Sequence, residues 1–204
     1  MPEQHPFTTN RWLQNADNHL LQEKWFINRN AANETLSFAF MPDKKVQSIF
    51  LGTFPIWEIS VGPMGNENIE FFYGSMVNNF WECLGTITEM SVDDLEDRIA
   101  ILENNKFGIT DILEKIDRNP ANCSSDNCLS AVNYNNILKL KESFPSLKNI
   151  FITSGGRGPV NRLNNNNKNV ATWFKDSLSD YDIEGFNTIG FVKSISVNDI
   201  EFNL

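Results

Sequence analysis

Side chains that could bind a ligand are concentrated between Ile49 and Trp81. The apolar run that starts at Ile49 ends at Gly52, and a long loop with Pro55 and three further glycines follows. The loop closes on an aromatic cluster formed by Phe71, Phe72 and Tyr73. Open α/β sheets place ligand crevices at the carboxyl ends of their strands, and such crevices are often lined by aromatic side chains. This stretch therefore predicts a ligand crevice at the end of a buried strand.

A second candidate is the glycine-rich sequence Ser154-Gly155-Gly156-Arg157-Gly158, which follows the predicted strand NIFITS. Backbone N–H groups of such a turn can surround a phosphate, so we expect Ser154 and Arg157 to contact substrate. The turn has neither the Walker pattern nor the dinucleotide fingerprint. An exposed turn without a ligand is the alternative.

Cysteine and histidine are scarce in this chain. It has three cysteines (Cys83, Cys123 and Cys128) and two histidines (His5 and His19). An odd, sparse set of cysteines indicates a reducing, cytoplasmic setting. A zinc site needs four ligands, and none of these residues are grouped for one, so we expect no metal and no cofactor. Cys83 is predicted to lie in the core of the protein, and no histidine is near a cysteine in sequence to activate a thiol nucleophile.

Length and charge narrow the possible partners. The chain has 204 residues, 41% of them hydrophobic, which suits one domain with a sizeable core. No apolar run is long enough to span a membrane, and no secretory signal is visible at the start. The net charge is −9. Affinity for DNA comes largely from clustered Lys and Arg, so the acidic balance disfavours DNA unless a local basic patch exists.

Apolar periodicity predicts strands that alternate with helices, which favours an α/β fold with a mostly parallel sheet. Three strands are predicted, at residues 46–52, 107–113 and 149–154, with a possible fourth at 186–192. Residues 36–40 are a short strand or an extended segment, and residues 195–204 are expected to form a hairpin. Helices are predicted at residues 10–26, 78–88, 91–104, 135–144 and 170–178. Residues 1–9 are expected to be a loose arm, and residues 114–130 a polar loop.

Three short segments carry a family resemblance: Gly52-Thr53-Phe54-Pro55, Phe72-Tyr73-Gly74-Ser75 and Asn78-Asn79-Phe80-Trp81. Together they resemble motifs of the uracil-DNA glycosylase superfamily, in particular its mismatch-specific and hypoxanthine-DNA glycosylase branches. The resemblance implies a three-layer α/β/α fold around a central, mostly parallel four-stranded sheet. It also implies a single domain over residues 1–204 that lacks the family's final Ser-Pro-Ser-Pro segment.

The resemblance implies a role for each matching residue. Asn78 matches the asparagine that would orient a water with its carbonyl oxygen, and the alternative is an asparagine that caps a helix. Phe72 and Tyr73 would stack on a flipped base, and the alternative is packing in the core. The backbone of Gly52, Thr53, Phe54 and Pro55 would shape the pocket.

Other positions match the family only in part. Ser75 stands where the family has a histidine, so a contact from that histidine would be absent, and Ile56 replaces its second glycine. A later segment resembles the family's Trp-Asp-Val-Leu and Ser-x-Asp-Ser sequences, with the equivalents Asp111, Arg118, Ser125 and Asp126. A buried Arg–carboxylate pair would hold that loop beside the pocket.

The function implied by the resemblance is excision of a deaminated base, uracil or hypoxanthine, by hydrolysis of its N-glycosidic bond in DNA. One alternative is an inactive relative that binds a nucleotide, a modified base or a protein. The acidic charge and the replaced motif residues favour that alternative. A hydrolase with another substrate in the same crevice is a further alternative.

Overall fold

The structure of the protein is a computed structural model. It describes residues 2–8, 24–28, 37–63, 65, 67–153, 170–178, 194–197 and 199–203. The described strands are β1 (Glu3–Gln4), β2 (Trp25–Asn28), β3 (Ser37–Phe40), β4 (Ser48–Gly52), β5 (Phe107–Asp111), β6 (Leu113–Arg118), β7 (Leu129–Tyr134), β8 (Asn149–Ile152), β9 (Ser194–Val197) and β10 (Ile200–Asn203).

Seven of the described strands form one mixed sheet in the order β2-β3-β5-β4-β8-β10-β9. Strands β5, β4, β8 and β10 are adjacent and parallel. Strands β2, β3 and β9 add antiparallel pairs at the two sides of this parallel group. The α/β class predicted from the sequence is confirmed. The sheet itself differs from the prediction, because it is mixed and has seven described strands rather than four.

The described helices are α1 (Trp57–Ser60), α2 (Phe80–Thr88), α3 (Leu95–Asn105), α4 (Leu140–Ser143) and α5 (Val170–Ser177). The predicted helices at 78–88, 91–104 and 170–178 are present, although α2 begins at Phe80 and α3 at Leu95, later than predicted. The segment 135–144 forms a short 3-10 helix followed by α4. The end of the predicted helix 10–26 is wrong, since Trp25 begins β2; most of that helix and the strand 186–192 lie outside the described residues. The hairpin near the end of the chain is confirmed. Within the described ranges, no helix is long and apolar enough to cross a membrane.

Helices pack on both faces of the large sheet because side chains alternate along each strand. On β4, Ile49 and Leu51 join a core cluster with side chains of α4 and α5. Phe50, between them, faces a second cluster that contains buried side chains of α2 and α3. The carboxyl end of β4 therefore emerges between two packed layers.

A small antiparallel sheet, β1-β6-β7, includes the two ends of the segment that was predicted as a polar loop at 114–130. The prediction is wrong at residues 114–118 and 129–130, where buried Ile116 and Leu129 anchor β6 and β7, and residues 119–125 between them have no helix or strand. Cys123 and Cys128 form a disulfide in the connection between them. This bond differs from the expectation of three reduced cysteines.

The first residues of the chain are also ordered, so the prediction of a loose arm is wrong. Strand β1 pairs with β6, and the backbone N–H of His5 donates to the Glu114 carbonyl at 2.8 Å. The side chains of His5 and Phe7 are completely buried. Burial of an aromatic side chain of this size contributes about 2 kcal/mol, comparable to the entropic cost of ordering one residue.

Asn135 links the strands that support the site. Its side-chain oxygen accepts from the Phe38 N–H at 3.0 Å, and its Nδ2 donates to the carbonyls of Phe38 and Asp111 at 2.9 and 3.0 Å. The same Nδ2 lies 3.0 Å from the Thr110 hydroxyl oxygen. The side chain is nearly fully buried, so these backbone groups have no access to water.

We expect Asn135→Ala to lower the free energy of unfolding by about 3 kcal/mol, because it leaves several buried polar groups without partners. Urea denaturation followed by circular dichroism measures the change. Exposed Asn122 offers a matched control, since Asn122→Ala removes an amide from the surface. Equal stability of the two variants would contradict the role given to Asn135.

Candidate functional site

A cavity of about 650 Å³ lies at the carboxyl ends of β4, β5 and β8 and beside the start of α2. Most of its wall is apolar or aromatic, with polar groups from the strand ends. Six of the residues predicted as site residues line it: Thr53, Phe54, Pro55, Tyr73, Ser75 and Asn78. The stretch after β4 thus forms the larger part of one concave surface.

One wall of the cavity is a stacked aromatic pair, Tyr73 and Phe80. Their ring centroids are 4.2 Å apart and their planes differ by 24°. The backbone of Tyr73 has a positive φ of 51°, a conformation that is uncommon for a residue with a side chain. Such a wall offers a flat apolar surface of the kind on which a planar ring can stack.

The Tyr73 hydroxyl is fixed by the neighbouring strand end. It lies 2.7 Å from the Thr153 hydroxyl oxygen, which itself donates to the Leu51 carbonyl at 2.9 Å. Because a threonine hydroxyl has one proton, Thr153 accepts the hydrogen bond from Tyr73. Burial, reinforced by nearby Asp111, raises the pKa of Tyr73 well above its usual value. The phenol therefore stays protonated at physiological pH.

Phe72, which was predicted to stack on a base, does not line the cavity. Its side chain is 1% exposed and packs against Phe7 and Trp25, with ring centroids at 4.9 and 5.6 Å. Adjacent positions in this turn point to different sides, so Tyr73 faces the cavity while Phe72 faces the core. Phe80 provides the second ring of the wall, a position that the sequence motif had not distinguished.

Asn78 lies at the rim of the cavity and is exposed. Its Oδ1 accepts the backbone N–H of Phe80 at 2.8 Å, so the side chain supports the start of α2. An amide oxygen has two lone pairs, which leaves one for a water molecule. The geometry is therefore compatible with both of the roles considered for Asn78, support of a helix and orientation of a water.

Asp126 contributes a carboxyl group to the cavity from a short 3-10 helix, Asp126–Cys128. Its Oδ2 accepts the Thr53 hydroxyl at 2.8 Å. Burial raises the pKa of Asp126, and the charge of nearby Asp111 raises it further, while the Thr53 hydrogen bond and Arg118 act in the opposite direction. A carboxyl group with a raised pKa is suited to accept a proton near neutral pH.

Asp111 is the second carboxyl group of the cavity and lies at the end of β5. Its Oδ2 is 2.9 Å from Nε2 of buried His5. Its Oδ1 lies close to Gly52: a Cβ atom built on this glycine would be 2.1 Å from that oxygen and 2.5 Å from the Tyr73 hydroxyl. The absence of a side chain at Gly52 is thus what allows both groups to approach the strand end.

An ion pair anchors the loop beside the cavity. Arg118 contacts the two carboxylate oxygens of Glu3 at 3.0 Å each and donates to the Pro55 carbonyl at 3.1 Å. Arg118 thus forms a buried ion pair, as expected, but its partner is Glu3 of the first strand and not a carboxylate of the loop segment. Pro55 contacts this pair through its carbonyl oxygen.

Ser75 and Cys83 both line the cavity. Ser75 is buried at the cavity wall, and its Oγ accepts the Val77 N–H at 3.4 Å. Cys83 was expected in the core, but it is exposed and lines the cavity from α2. Its helical position faces the crevice instead of the sheet, which corrects that expectation. The candidate phosphate contacts Ser154 and Arg157 lie outside the described residues.

The charged side chains that line the described part of the cavity all carry acidic groups. Among the described residues that line it, Asp111 and Asp126 are the charged side chains, and both are acidic. The part of the chain that the structure describes contains no group of three or more His, Cys, Asp or Glu residues that could hold a metal ion. The chemistry available to these residues is proton transfer and electrostatic stabilisation by carboxylates.

Comparisons with known proteins yield one structural similarity. No known protein family and no curated protein matches this sequence. A solved structure from Methanosarcina acetivorans, described as a "putative Uracil DNA glycosylase", has a TM-score of 0.44 and 24% identity to this chain. The similarity covers 56% of this chain and 65% of that one, so less than two thirds of that protein is matched. At this level, the similarity establishes neither a family nor an activity for this chain.

Proposed function

We propose that this chain hydrolyses the N-glycosidic bond of a deaminated base in DNA, and that uracil and hypoxanthine are the bases to test first. The observation that supports this best is the cavity at the strand ends. There the stacked rings of Tyr73 and Phe80 share the walls with the carboxyl group of Asp126 and the amide of Asn78. Parts of the three motifs that resemble uracil-DNA glycosylases line the same cavity, namely residues 53–55, 73–75 and 78–80.

The reaction requires a water, a proton acceptor and a place for the base. As the N-glycosidic bond breaks, the sugar becomes cationic and the base departs with the electron pair. In our proposal the base stacks on the wall of Tyr73 and Phe80, and Asn78 orients the attacking water with its remaining lone pair. Asp126 accepts a proton from this water as the new C–O bond forms, and the departing base is protonated from solvent.

DNA would have to approach a chain with a net charge of −9. The electrostatic repulsion of DNA phosphates is weakest at a part of the surface that carries basic side chains. We propose Ser154 and Arg157 as the phosphate contacts. Single-stranded DNA is the simplest substrate for the proposal, because a base in it need not be extracted from a duplex. Binding is expected to weaken steeply as salt is raised.

A glycosylase assay with Asn78 variants tests the proposal. Oligonucleotides with one uracil, hypoxanthine or xanthine, single-stranded and paired, are incubated at low salt and then treated with alkali. We expect the parent protein to produce alkali-labile sites and Asn78→Ala to slow their formation by about 100-fold. Asn122→Ala is the matched control, since Asn122 is exposed and is not one of the described residues that line the cavity. Equal rates for the two variants would exclude Asn78 from the reaction.

A second candidate function is the binding of a base or nucleotide without hydrolysis. The acidic pair in the cavity and the serine at position 75 favour it, because a departing anionic base has no cationic partner among the described lining residues. Thermal unfolding with free uracil, hypoxanthine and nucleotides distinguishes the two functions. A ligand-dependent rise of Tm without any base release from DNA would favour binding alone.

The pH dependence of the reaction provides a further prediction. Asp126 accepts a proton only when it is ionised, so activity falls as pH drops below its raised pKa. The Thr53 hydroxyl stabilises the ionised form, and Thr53→Val should therefore raise the pKa of Asp126 further. We expect the acidic limb of the pH–rate profile to move to higher pH in Thr53→Val. A profile that does not move would contradict the role of Asp126 as the proton acceptor.

A further inference from the structure

His5 has a position that the sequence did not suggest. It lies between β1 and a short 3-10 helix, and its side chain is completely buried. Aromatic rings surround it, with Phe38 and Phe54 at centroid distances of 4.4 and 5.1 Å. A buried imidazole needs partners for its nitrogen atoms, and these partners define what the ring can do.

The two hydrogen bonds of His5 fix its tautomer. The backbone N–H of Phe7 donates to Nδ1 at 3.3 Å, so this nitrogen has no proton in the neutral ring. The proton is therefore on Nε2, which donates to Oδ2 of Asp111 at 2.9 Å. Burial lowers the pKa of His5, and the opposing influence of Asp111 and Glu3 does not reverse that shift. The imidazole is a neutral donor at physiological pH.

His5 holds one oxygen of Asp111 while the residue lines the cavity. The other oxygen, Oδ1, lies beside Gly52, near the Tyr73 hydroxyl. The charged and titratable groups near the pair are Glu3 on β1, Tyr73 in the loop, and Asp126 in its 3-10 helix. The carboxyl group of Asp111 is thus oriented from behind by a neutral ring and faces the cavity.

We propose that His5 is a positioning residue that orients the Asp111 carboxylate toward the sugar, where its negative charge stabilises the cation formed as the glycosidic bond breaks. This inference rests on the proposed function. It gives Asp111 an electrostatic role beside the proton-accepting role of Asp126. In the hydrolytic step, the oxygen of the water forms the new bond to the sugar carbon, and the water loses a proton to Asp126. The base leaves with the bonding pair, and Asp111 takes no part in proton transfer. Fixed charges directed at a developing cation are an effective means of lowering a barrier.

Kinetics of four variants test the inference on the substrate that the parent cleaves best. We expect Asp111→Asn to lower kcat by about 100-fold and His5→Leu by about tenfold, with KM within about twofold of the parent. His5→Gln can keep an N–H donor and should recover most of the rate. The double variant with His5→Leu and Asp111→Asn should be no slower than Asp111→Asn alone, because His5 acts through Asp111.

Phe7→Leu is the matched control for a purely structural role. It shortens a side chain of the same buried segment, next to the His5 ring, and retains the backbone N–H that donates to His5 Nδ1. We expect it to lower Tm but to leave kcat of the folded protein within about twofold. A similar loss of kcat in Phe7→Leu and His5→Leu would overturn the inference, and so would additive effects in the double variant.

Nitrogen-15 NMR of the histidines reports the tautomer of His5 beside Asp111 without any substrate. It tests the inference even if His5→Leu does not fold. We expect the Nε2–H tautomer for His5 in the parent and a changed Nε2 shift in Asp111→Asn. A Nδ1–H tautomer would overturn the inference. Absence of base release by the parent would contradict the proposed function together with the role of Asp111. Base release that is unchanged in His5→Leu and Asp111→Asn would overturn this inference alone.

Discussion

Gly52→Ala is expected to lower the rate of base release by at least about 100-fold. We expect it to lower the free energy of unfolding by about 2 kcal/mol. A methyl group at this position would lie 2.1 Å from Asp111 Oδ1 and 2.5 Å from the Tyr73 hydroxyl. Both atoms are at the ends of side chains, so the backbone need not move far. However, Asp111 is held by His5 and Tyr73 by Thr153, and displacement breaks these contacts. The damage is therefore greater to the site than to the fold.

Gly65→Ala is the matched control for this substitution. Among the residues that the structure describes, a methyl group at Gly65 would meet the Asn68 side chain alone, at 3.4 Å and beyond. Single-turnover rates and urea denaturation of both variants separate activity from stability. Parent-like activity in Gly52→Ala would contradict the close approach of Asp111 and Tyr73 to the end of β4.

Asp126→Asn is the second substitution with a large expected effect, a loss of about 10²- to 10⁴-fold in rate. Asparagine has nearly the same shape, and its carbonyl oxygen can still accept the Thr53 hydroxyl. It cannot take a proton from water, so the chemical step should be lost while the fold is retained. Because a partly buried carboxyl group with a raised pKa is removed, we expect stability at neutral pH to be unchanged or higher.

Asp117→Asn controls for the change in net charge, since exposed Asp117 lies on the neighbouring strand β6. We expect it to bind DNA as strongly as Asp126→Asn does and to retain the parent rate. If Asp126→Asn keeps more than about a tenth of the parent rate, Asp126 is not the proton acceptor.

Much of the fold was predictable because its signals are local. Strand β4 follows from an apolar run that ends in a glycine, and α2 and α3 follow from apolar positions at helical spacing. The start of α3 also had a local signal: Asp94 caps the helix by accepting the Asp97 N–H at 2.9 Å. The crevice was predicted correctly because the end of β4 and the loop after it lie together in sequence.

The remainder of the site depends on contacts between distant residues. His5 and Asp111 are 106 positions apart, and no spacing rule links them. Strands β6 and β7 were missed because neither has a clear alternation of apolar and polar residues. Their burial patterns are irregular, and charged Glu114 is buried beside Leu113. The difference between Phe72 and Tyr73 is set by a turn with positive φ, which composition alone does not reveal.

The most direct measurement is release of free base from a single-stranded oligonucleotide that contains one uracil or one hypoxanthine. The reaction is run at low salt with protein in excess, and the base is quantified by mass spectrometry. We predict that the parent releases one of these bases in an amount equal to the abasic sites formed, and that Asp126→Asn releases it at least about 100-fold more slowly. No free base from either oligonucleotide, by folded parent protein, would contradict the proposal that this cavity excises a deaminated base.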